Sequence, residues 1–394
     1  MTHQLVHAML PRANHDEAAR QEFTATLKRH ISSDVTPGNR HVAERRAVPA
    51  FRKAHGRAPA SRGELRAAIQ REDYYQMWGS LTRLAQEQMW ASVEESVARQ
   101  VPDLARRWQS NGRAKGSLRL DPAVKPPPYM SAVDIHCMPG GYVSEVMDDD
   151  VRAGAIFDRG TFLNVCGTQG AMHDARGLTA VAYLLTDHAD LNPGRILDMG
   201  CSVGQATLPY AAYYPDAQVH AIDVAAPLLR YAHGRAESVG RAVHFSQQNA
   251  EHTDFPDGHF DLIVSHLLFH ETSTSALPRI IHECHRLLRP GGVMVHLELG
   301  LPYKDMSLFE EVMHDWQTRN NGEPFWTSIN TTDTVAIAHG AGFGRAECGY
   351  LRRVDNPLAE LTHLGPRGAA AAGHVFPQGD RGRDEYYFVL SAVK

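Results

Sequence analysis

The stretch Arg195-Ile-Leu-Asp-Met-Gly-Cys-Ser-Val-Gly204 decides the fold. A short apolar strand leads to the acidic residue Asp198, a turn of small residues follows, and a helix-compatible run begins at Gln205. Small residues let the backbone of a turn approach a ligand closely. The start of the helix offers free N–H groups and the positive end of its dipole. Because a carboxylate at Asp198 would repel a phosphate, the pattern favours a ligand that carries an ammonium group.

Two familiar motifs match parts of this turn. The dinucleotide fingerprint Gly-x-Gly-x-x-Gly fits poorly, because Ser202 stands where a glycine is required. The hydrolase nucleophile elbow Gly-x-Ser-x-Gly matches the letters from Gly200 to Gly204. That elbow also needs an oxyanion-hole loop upstream, and no His-Gly-Gly segment precedes it. The rest of the chain favours a third interpretation.

Four more strand patterns follow at the spacing of an open α/β sheet. The run 218–223 is an apolar strand that ends in Asp223, where such sheets bind ribose hydroxyls. Residues 244–251 form a third strand with a polar end, and 255–265 form a turn and a fourth strand. Residues 289–298 read as a helix stop, a turn and a fifth strand. The order of these motifs carries more information than any one of them.

Together these motifs resemble the class I S-adenosylmethionine (SAM) methyltransferases, in particular the broad type 11 group that includes the ubiquinone-biosynthesis C-methyltransferases. Ser202 then stands at the middle glycine of their acidic-x-Gly-x-Gly-x-Gly motif. The resemblance covers about residues 178–350 and the last strand. It implies an α/β fold with a Rossmann-like, seven-stranded sheet, and SAM as the cofactor.

The resemblance also implies which residues contact the cofactor. Asp198 and the turn behind it would face the methionine part, and Asp223 would bind both ribose hydroxyls. Asn249 would meet the adenine edge where relatives often carry aspartate, and its amide can still accept a hydrogen bond from the adenine amino group. The expected cofactor contacts are Asp198, Gly200, Ser202, Gly204, Asp223, Asn249, Ala250 and His266.

Candidate catalytic residues follow the fourth and fifth strands. The segment 265–271 resembles the Leu-His-Asp-Trp element of small-molecule O-methyltransferases, with His270 at the position of the base and Glu271 at that of the aspartate. Thr272 replaces the tryptophan. Histidine suits a general base because its pKa lies near neutral pH. Glu298, at the end of the fifth strand, could accept a substrate proton or bind a substrate cation. Alternatively, His270 only lines the cofactor pocket, as in relatives that methylate carbon or nitrogen.

Composition agrees with an enzyme that is not a membrane protein. The chain has 394 residues, a net charge of −5 and 43% hydrophobic residues. It contains no apolar run of the roughly 18–20 residues that a membrane span needs, and its N-terminus does not resemble a signal peptide. Five scattered cysteines favour reduced thiols in the cytoplasm. We expect no metal site, because the chain lacks Cys-x-x-Cys and the run 282–285 lies in an amphipathic helix.

The chain is expected to divide into three parts. Residues 1–125 would form a mostly helical accessory or dimerisation domain, 126–177 a connecting segment and lid, and 178–394 the methyltransferase domain. Ser61 and Glu64 form a capping-box pattern that opens a helical region extending to about Arg107. Its apolar face predicts packing on another helix, within the chain or in a homodimer. The Gly- and Pro-rich stretch 356–383 is expected to be a mobile lid.

The predicted function is transfer of a methyl group from SAM to a small organic acceptor, with a hydroxyl oxygen as first choice and His270 as candidate base. Transfer to carbon, nitrogen or sulfur by positioning alone remains an alternative. A non-catalytic SAM-binding protein is a second alternative. A nucleic-acid methyltransferase is a third, because residues 1–120 contain 20 Lys+Arg and 12 Asp+Glu. Since these charges are interspersed along helices, we expect solvated helix faces rather than a nucleic-acid partner.

The sequence leaves open the acceptor, the oligomeric state, the role of the segment 135–142 and whether the N-terminal domain contributes to the substrate pocket. Aromatic and amide side chains in residues 309–329 are expected to line part of the acceptor pocket. The segment 135–142 has no place in the methyltransferase core, and its role is not assigned.

Overall fold

A computed structural model describes residues 3–109, 114–299, 305–355 and 386–394. Its centre is an eight-stranded sheet in the order β1-β4-β3-β2-β5-β6-β8-β7. All neighbouring strands are parallel except β8, which runs antiparallel to β6 and β7. The strands are β1 (Ser117–Arg119), β2 (Arg195–Met199), β3 (Gln218–Asp223), β4 (His244–Gln247), β5 (Phe260–His266), β6 (Leu288–Glu298), β7 (Arg345–Arg352) and β8 (Tyr386–Val393).

This topology confirms the Rossmann-like α/β fold, but the expected number of seven strands is wrong. The extra strand β1 lies within residues 1–125, which were expected to be mostly helical, and it pairs with β4 in parallel. Gly116 permits this pairing, because a Cβ atom there would lie 2.1 Å from the carbonyl oxygen of Val243. A three-residue strand is too short to show a recognisable alternation of apolar residues.

Helices cover both faces of the sheet and form the N-terminal region. They are α1 (His15–His30), α2 (Thr36–Val42), α3 (Val48–His55), α4 (Arg62–Ile69), α5 (Asp73–Ala98), α6 (Val101–Gln109), α7 (Pro128–Ser131), α8 (Arg152–Asn164), α9 (Ala175–Asp187), α10 (Leu208–Tyr213), α11 (Ala226–Ser238), α12 (Ala276–Leu287), α13 (Leu308–Asn320), α14 (Trp326–Thr331) and α15 (Thr334–Gly340). Short π-helical segments at Ile31–Val35 and Ala43–Ala47 continue the first helices.

The helical region predicted from the capping pattern is confirmed. Ser61 caps α4 by accepting a hydrogen bond from the backbone N–H of Glu64 at 3.3 Å. The predicted apolar face packs within the chain: Trp78 of α5 lies against Trp316 of α13, with ring centroids 5.1 Å apart. Two helices form the first part of this region: α4 ends at Ile69 and α5 begins at Asp73. A homodimer stays a prediction.

Helix α8 joins the N-terminal helices to the sheet region, and two glycines allow it to approach both sides closely. A Cβ atom at Gly154 would lie 2.3 Å from Cβ of Tyr231 in α11. A Cβ atom at Gly160 would lie 2.0 Å from Cζ3 of Trp90 in α5. Residues 126–177 therefore supply a helix that packs between the two regions, while the exact domain bounds at 125 and 177 stay predictions.

A buried carboxylate reinforces the same junction. Asp158 of α8 contacts Nε2 of His7 at 2.9 Å, and it accepts hydrogen bonds from the hydroxyl of Tyr231 and from Nε2 of Gln205, each at 2.8 Å. Gln205 belongs to the turn after β2. The N-terminal segment, α8, α11 and this turn thus meet at one fully buried charge.

No helix of the described residues is long and apolar enough to cross a membrane. The predicted lid, 356–383, lies outside the described residues.

We expect Gly160→Ala to destabilise the protein by about 1–3 kcal/mol, because the added methyl group overpacks the contact between α8 and Trp90. Gly63→Ala is the matched control: it also adds a methyl group within a helix, but its nearest neighbour is 4.0 Å away. This control should be neutral or gain about 0.5–1 kcal/mol. Urea denaturation of both variants measures the difference, and equal stabilities would contradict the close packing.

Candidate functional site

The parallel strands end at one edge of the sheet, and a cavity of about 340 Å³ lies beyond that edge. Open α/β sheets bind ligands at this carboxyl edge, where the strand order reverses. Asp198 of β2, Asp223 of β3 and His266 of β5 all line the cavity. The strand ends predicted from separate motifs therefore meet at one place.

The turn after β2 brings backbone close to the cavity. Gly200, Ser202 and Gly204 all have positive φ angles, of 70°, 51° and 74°. A Cβ atom at Gly200 would lie 2.7 Å from Cδ1 of Leu268, so only glycine fits without displacement. The hydroxyl of Ser202 has no hydrogen-bond partner in the described part of the chain, so no histidine activates it as a nucleophile. The hydrolase interpretation therefore lacks support.

Asp198 is a buried carboxylate with one unused oxygen. Its Oδ2 accepts a hydrogen bond from the Thr207 hydroxyl at 2.5 Å, whereas its Oδ1 has no partner among the described residues. Burial, reinforced by the nearby charge of Asp223, raises the pKa of Asp198 to about 7. A buried carboxylate oxygen without a partner is costly, and a bound cation would remove that cost.

Asp223 is held in a fixed orientation at the end of β3. Its Oδ2 accepts a hydrogen bond from the backbone N–H of Ser202 and its Oδ1 from that of Ala225, both at 2.9 Å. Burial raises its pKa, although these backbone hydrogen bonds act in the opposite direction. Each carboxylate oxygen can accept a second hydrogen bond, so the side chain can still bind two hydroxyls.

The other predicted cofactor residues fall into two groups. His266 lines the cavity and pairs through Nε2 with the Tyr210 hydroxyl at 3.0 Å. Burial lowers its pKa to about 3, so its ring is neutral. Gly204, Asn249 and Ala250 are not among the residues that line the cavity. The side-chain oxygen of Asn249 instead accepts a hydrogen bond from the backbone N–H of Glu251 at 2.9 Å.

The predicted catalytic residues lie close to one another at the same cavity. His270 and Glu271 line it, with Nε2 of His270 3.8 Å from Oε1 of Glu271. Glu298 lies behind the ring and contacts Nδ1 of His270 at 2.7 Å. Its other oxygen accepts a hydrogen bond from the backbone N–H of Phe269 at 2.6 Å. Burial lowers the pKa of His270, but the charge and hydrogen bond of Glu298 outweigh it, so the net shift is upward.

His136 is a site residue that sequence analysis missed. It belongs to the unassigned segment 135–142, and its ring lies between two carboxylates: Nε2 is 3.1 Å from Oε1 of Glu271, and Nδ1 is 2.9 Å from Oε1 of Glu323. Burial opposes its protonation, but Glu323 and Glu271 raise its pKa well above the usual value. The backbone of His136 is left-handed, with φ of 55°, as is that of the neighbouring Cys137 with φ of 60°. This conformation is visible only in three dimensions.

A second cavity of about 700 Å³ adjoins the first. Both are lined by Lys28 of α1 and by Trp326 of α14, so the N-terminal helices contribute to this space. Trp326 also packs edge-on against His270, with ring centroids 4.8 Å apart. The expected contribution of residues 309–329 to a pocket next to His270 agrees with this arrangement.

Comparison with known proteins identifies the sheet region. A family profile described as "Methyltransferase domain" matches residues 196–292. A demethylmenaquinone methyltransferase of Thermus thermophilus is 35% identical over 28% of this chain and 50% of its own length. A protein of Synechocystis named an uncharacterized methyltransferase is 32% identical over 39% of this chain and 68% of its own length. A malonyl-[acyl-carrier protein] O-methyltransferase of Geobacter sulfurreducens is 33% identical over 28% of this chain and 40% of its own length.

The chain thus spans half the length of the Thermus relative and about two thirds of the Synechocystis one. The matched part contains the turn after β2, Asp223 and His270, which are the features that the motifs selected. On the sheet topology, the site geometry and these matches, the chain belongs to the class I SAM-dependent methyltransferases, whose cofactor is SAM.

Proposed function

We propose that this protein transfers the methyl group of SAM to a small organic acceptor, with a hydroxyl oxygen as the receiving atom. One observation carries the proposal: Asp198, whose buried Oδ1 has no partner among the described residues, and His270 line the same cavity. A cofactor site and a base for the acceptor would then adjoin each other. The name of the Geobacter relative identifies an O-methyltransferase, which supports oxygen as the first choice.

Asp198, Asp223 and the turn after β2 fit SAM. Asp198 Oδ1 would pair with the ammonium of the methionine part, which compensates its burial. Asp223 would accept hydrogen bonds from the two ribose hydroxyls, and the backbone from Gly200 to Gly204 would lie along the methionine part. Asn249 and Ala250 follow the end of β4 and do not line the cavity. They would contact the adenine only if that part of the cofactor extends beyond the cavity. SAM supplies a methyl group that is already activated by the sulfonium.

His270 and Glu298 would prepare the acceptor for methyl transfer. In-line transfer requires donor and acceptor at near-attack distance, and positioning alone can provide much of the acceleration. A hydroxyl must also lose its proton as the new bond forms. His270 Nε2 would accept that proton, and Glu298 would orient the ring through Nδ1 and stabilise the imidazolium. The adjoining cavity of about 700 Å³ would hold the remainder of a small acceptor.

The charge arrangement supports a small acceptor rather than a nucleic acid. Several arginines of the N-terminal helices pair with carboxylates, which reduces the positive surface available to a polyanion. Examples are Arg20 with Glu95 at 2.7 Å and Arg66 with Asp315 at 2.7 Å. Transfer to carbon, nitrogen or sulfur would need only the positioning of acceptor and cofactor, without a base. The proposed chemistry is the same for a monomer and for a homodimer.

A turnover screen tests the proposal. Purified protein is incubated with methyl-labelled SAM and a panel of phenols, alcohols and hydroxy acids, with amines and thiols for comparison. Labelled product and S-adenosylhomocysteine should form in equal amounts with at least one hydroxyl compound. Tight SAM binding without turnover on any acceptor class would instead favour the non-catalytic alternative.

Asp223→Ala should weaken SAM binding by roughly 10- to 100-fold, because each hydrogen bond to a charged group contributes about 1.5–3 kcal/mol. Isothermal calorimetry of the two proteins measures the change. Unchanged affinity, in a variant with the parent's circular dichroism, would remove Asp223 from the ribose site.

SAM affinity should depend on the ionisation of Asp198. Since the pKa of this group is raised to about 7 in the free protein, and the ammonium requires the carboxylate, affinity should fall about tenfold per pH unit as the pH drops below 7. Asp198→Asn should bind SAM weakly and without this slope. Calorimetry from pH 5.5 to 7.5 checks both proteins, and an equal slope in the variant would assign the proton to another group.

His270→Ala should lower the rate of methyl transfer by roughly 10²- to 10⁴-fold, the usual contribution of a positioned base. SAM affinity should be nearly unchanged, because His270 is not among the expected cofactor contacts. Single-turnover kinetics with the acceptor found in the screen separates the two effects. Near-normal turnover would show that His270 has no chemical role.

A further inference from the structure

We propose that His136, His270 and Glu271 bind one divalent transition-metal ion at the acceptor side of the cavity. Their ligand atoms lie within 4.8 Å of one another. Oε1 of Glu271 is 3.1 Å from Nε2 of His136 and 3.8 Å from Nε2 of His270. When metal bonds are about 2.0–2.2 Å long, neighbouring ligand atoms lie roughly 3–3.5 Å apart. The three side chains therefore need only small shifts to enclose an ion.

The groups around these three residues are arranged as in metal centres. A histidine that binds a metal usually directs its second nitrogen to a carboxylate, which fixes the tautomer and the ring orientation. Both histidines do so here: Nδ1 of His136 contacts Glu323 at 2.9 Å, and Nδ1 of His270 contacts Glu298 at 2.7 Å. Both Nε2 atoms are thereby directed toward Glu271.

Further contacts hold these carboxylates in place. The Tyr142 hydroxyl donates to Oε1 of Glu271 at 3.2 Å, and Nδ2 of Asn321 donates to Oε1 of Glu323 at 2.7 Å. The carbonyl oxygen of His136 accepts hydrogen bonds from Trp90 and Gln86 of α5 at 2.8 and 2.9 Å, which stabilise its left-handed backbone. Strained backbone of this kind persists where the surroundings enforce it, and it clusters at functional sites.

The composition of the cluster also favours a cation. Three carboxyl groups, those of Glu271, Glu298 and Glu323, contact only two imidazoles. Such charges are costly to bury without compensation. A divalent ion between the two Nε2 atoms and Glu271 would provide it, and the two imidazole ligands favour Zn²⁺, Fe²⁺ or Co²⁺ over Mg²⁺ and Ca²⁺.

The three ligands leave room for a substrate atom. All three line the cavity, and the group contains no fourth ligand among the described residues. A metal site with open positions can orient an acceptor and lower the pKa of its hydroxyl. The proton would then be released to solvent as the S–CH₃ bond breaks and the O–CH₃ bond forms. This role rests on the proposed methyl transfer, and it replaces the base, because the ion uses the same Nε2 of His270.

Ion binding by the full chain tests the site without any acceptor. Chelator-treated protein is titrated with Zn²⁺ by calorimetry, and Co²⁺ is added separately, since its visible absorption reports coordination. We expect one Zn²⁺ per chain and, for Mg²⁺, roughly 100-fold or more weaker binding. Glu323→Gln should weaken Zn²⁺ binding by about 10- to 100-fold. His136→Gln and Glu271→Gln should abolish stoichiometric binding and the Co²⁺ absorption.

His15→Gln is the matched control, because it removes an exposed histidine outside the cluster and should bind Zn²⁺ as the parent does. Retained SAM affinity shows that each variant is folded. Absence of stoichiometric binding, or variants that bind as tightly as the parent, would overturn the site. Zn²⁺ binding without any methyl transfer would reject the proposed function and leave the site in place. Transfer at an equal rate in chelated, ion-free protein would reject the role of the ion in methyl transfer and leave His270 as the base.

Discussion

A single buried carboxylate, Asp158, connects the parts of the molecule that form the cavity. Burial acts to raise its pKa, but Arg235 and His7 outweigh that effect and hold the carboxylate in its charged form. Its partners are His7 near the N-terminus, Tyr231 in α11 and Gln205 in the turn after β2. Loss of one partner of a buried charge strongly destabilises a protein, because the charge is then buried without compensation. The N-terminal helices and the cofactor turn are therefore coupled, and the cavity between them depends on both.

The acidic residues around the cavity differ in how many hydrogen-bond partners their carboxylate oxygens have. Asp198 has an unpaired oxygen and a raised pKa, which suits a cationic ligand. Asp223 is held by two backbone N–H groups and can still accept from hydroxyls. Glu298 uses both oxygens within the protein, so it orients His270 and does not face the cavity. The cavity thus combines two carboxylates that suit the proposed cofactor contacts with a cluster of histidines and carboxylates.

The sequence predicted the cofactor side better than the acceptor side. Asp198 and Asp223 each end a strand next to a turn of small residues, and parallel strands bring such ends together without further information. His136 could not be found in this way. It precedes Glu271 by 135 residues, and its segment shows no periodic pattern. The orienting role of Glu298 also depends on the register of β5 and β6, which no local pattern specifies. Strand β1 was missed because three residues between prolines show no alternation.

A structure of the protein with S-adenosylhomocysteine, from crystals grown with Zn²⁺, tests the central claim most directly. This account predicts the amino group at Asp198, the ribose at Asp223, and the sulfur directed toward a zinc ion held by His136, His270 and Glu271. A cofactor whose sulfur faces away from that cluster, or which binds outside the cavity, would contradict it.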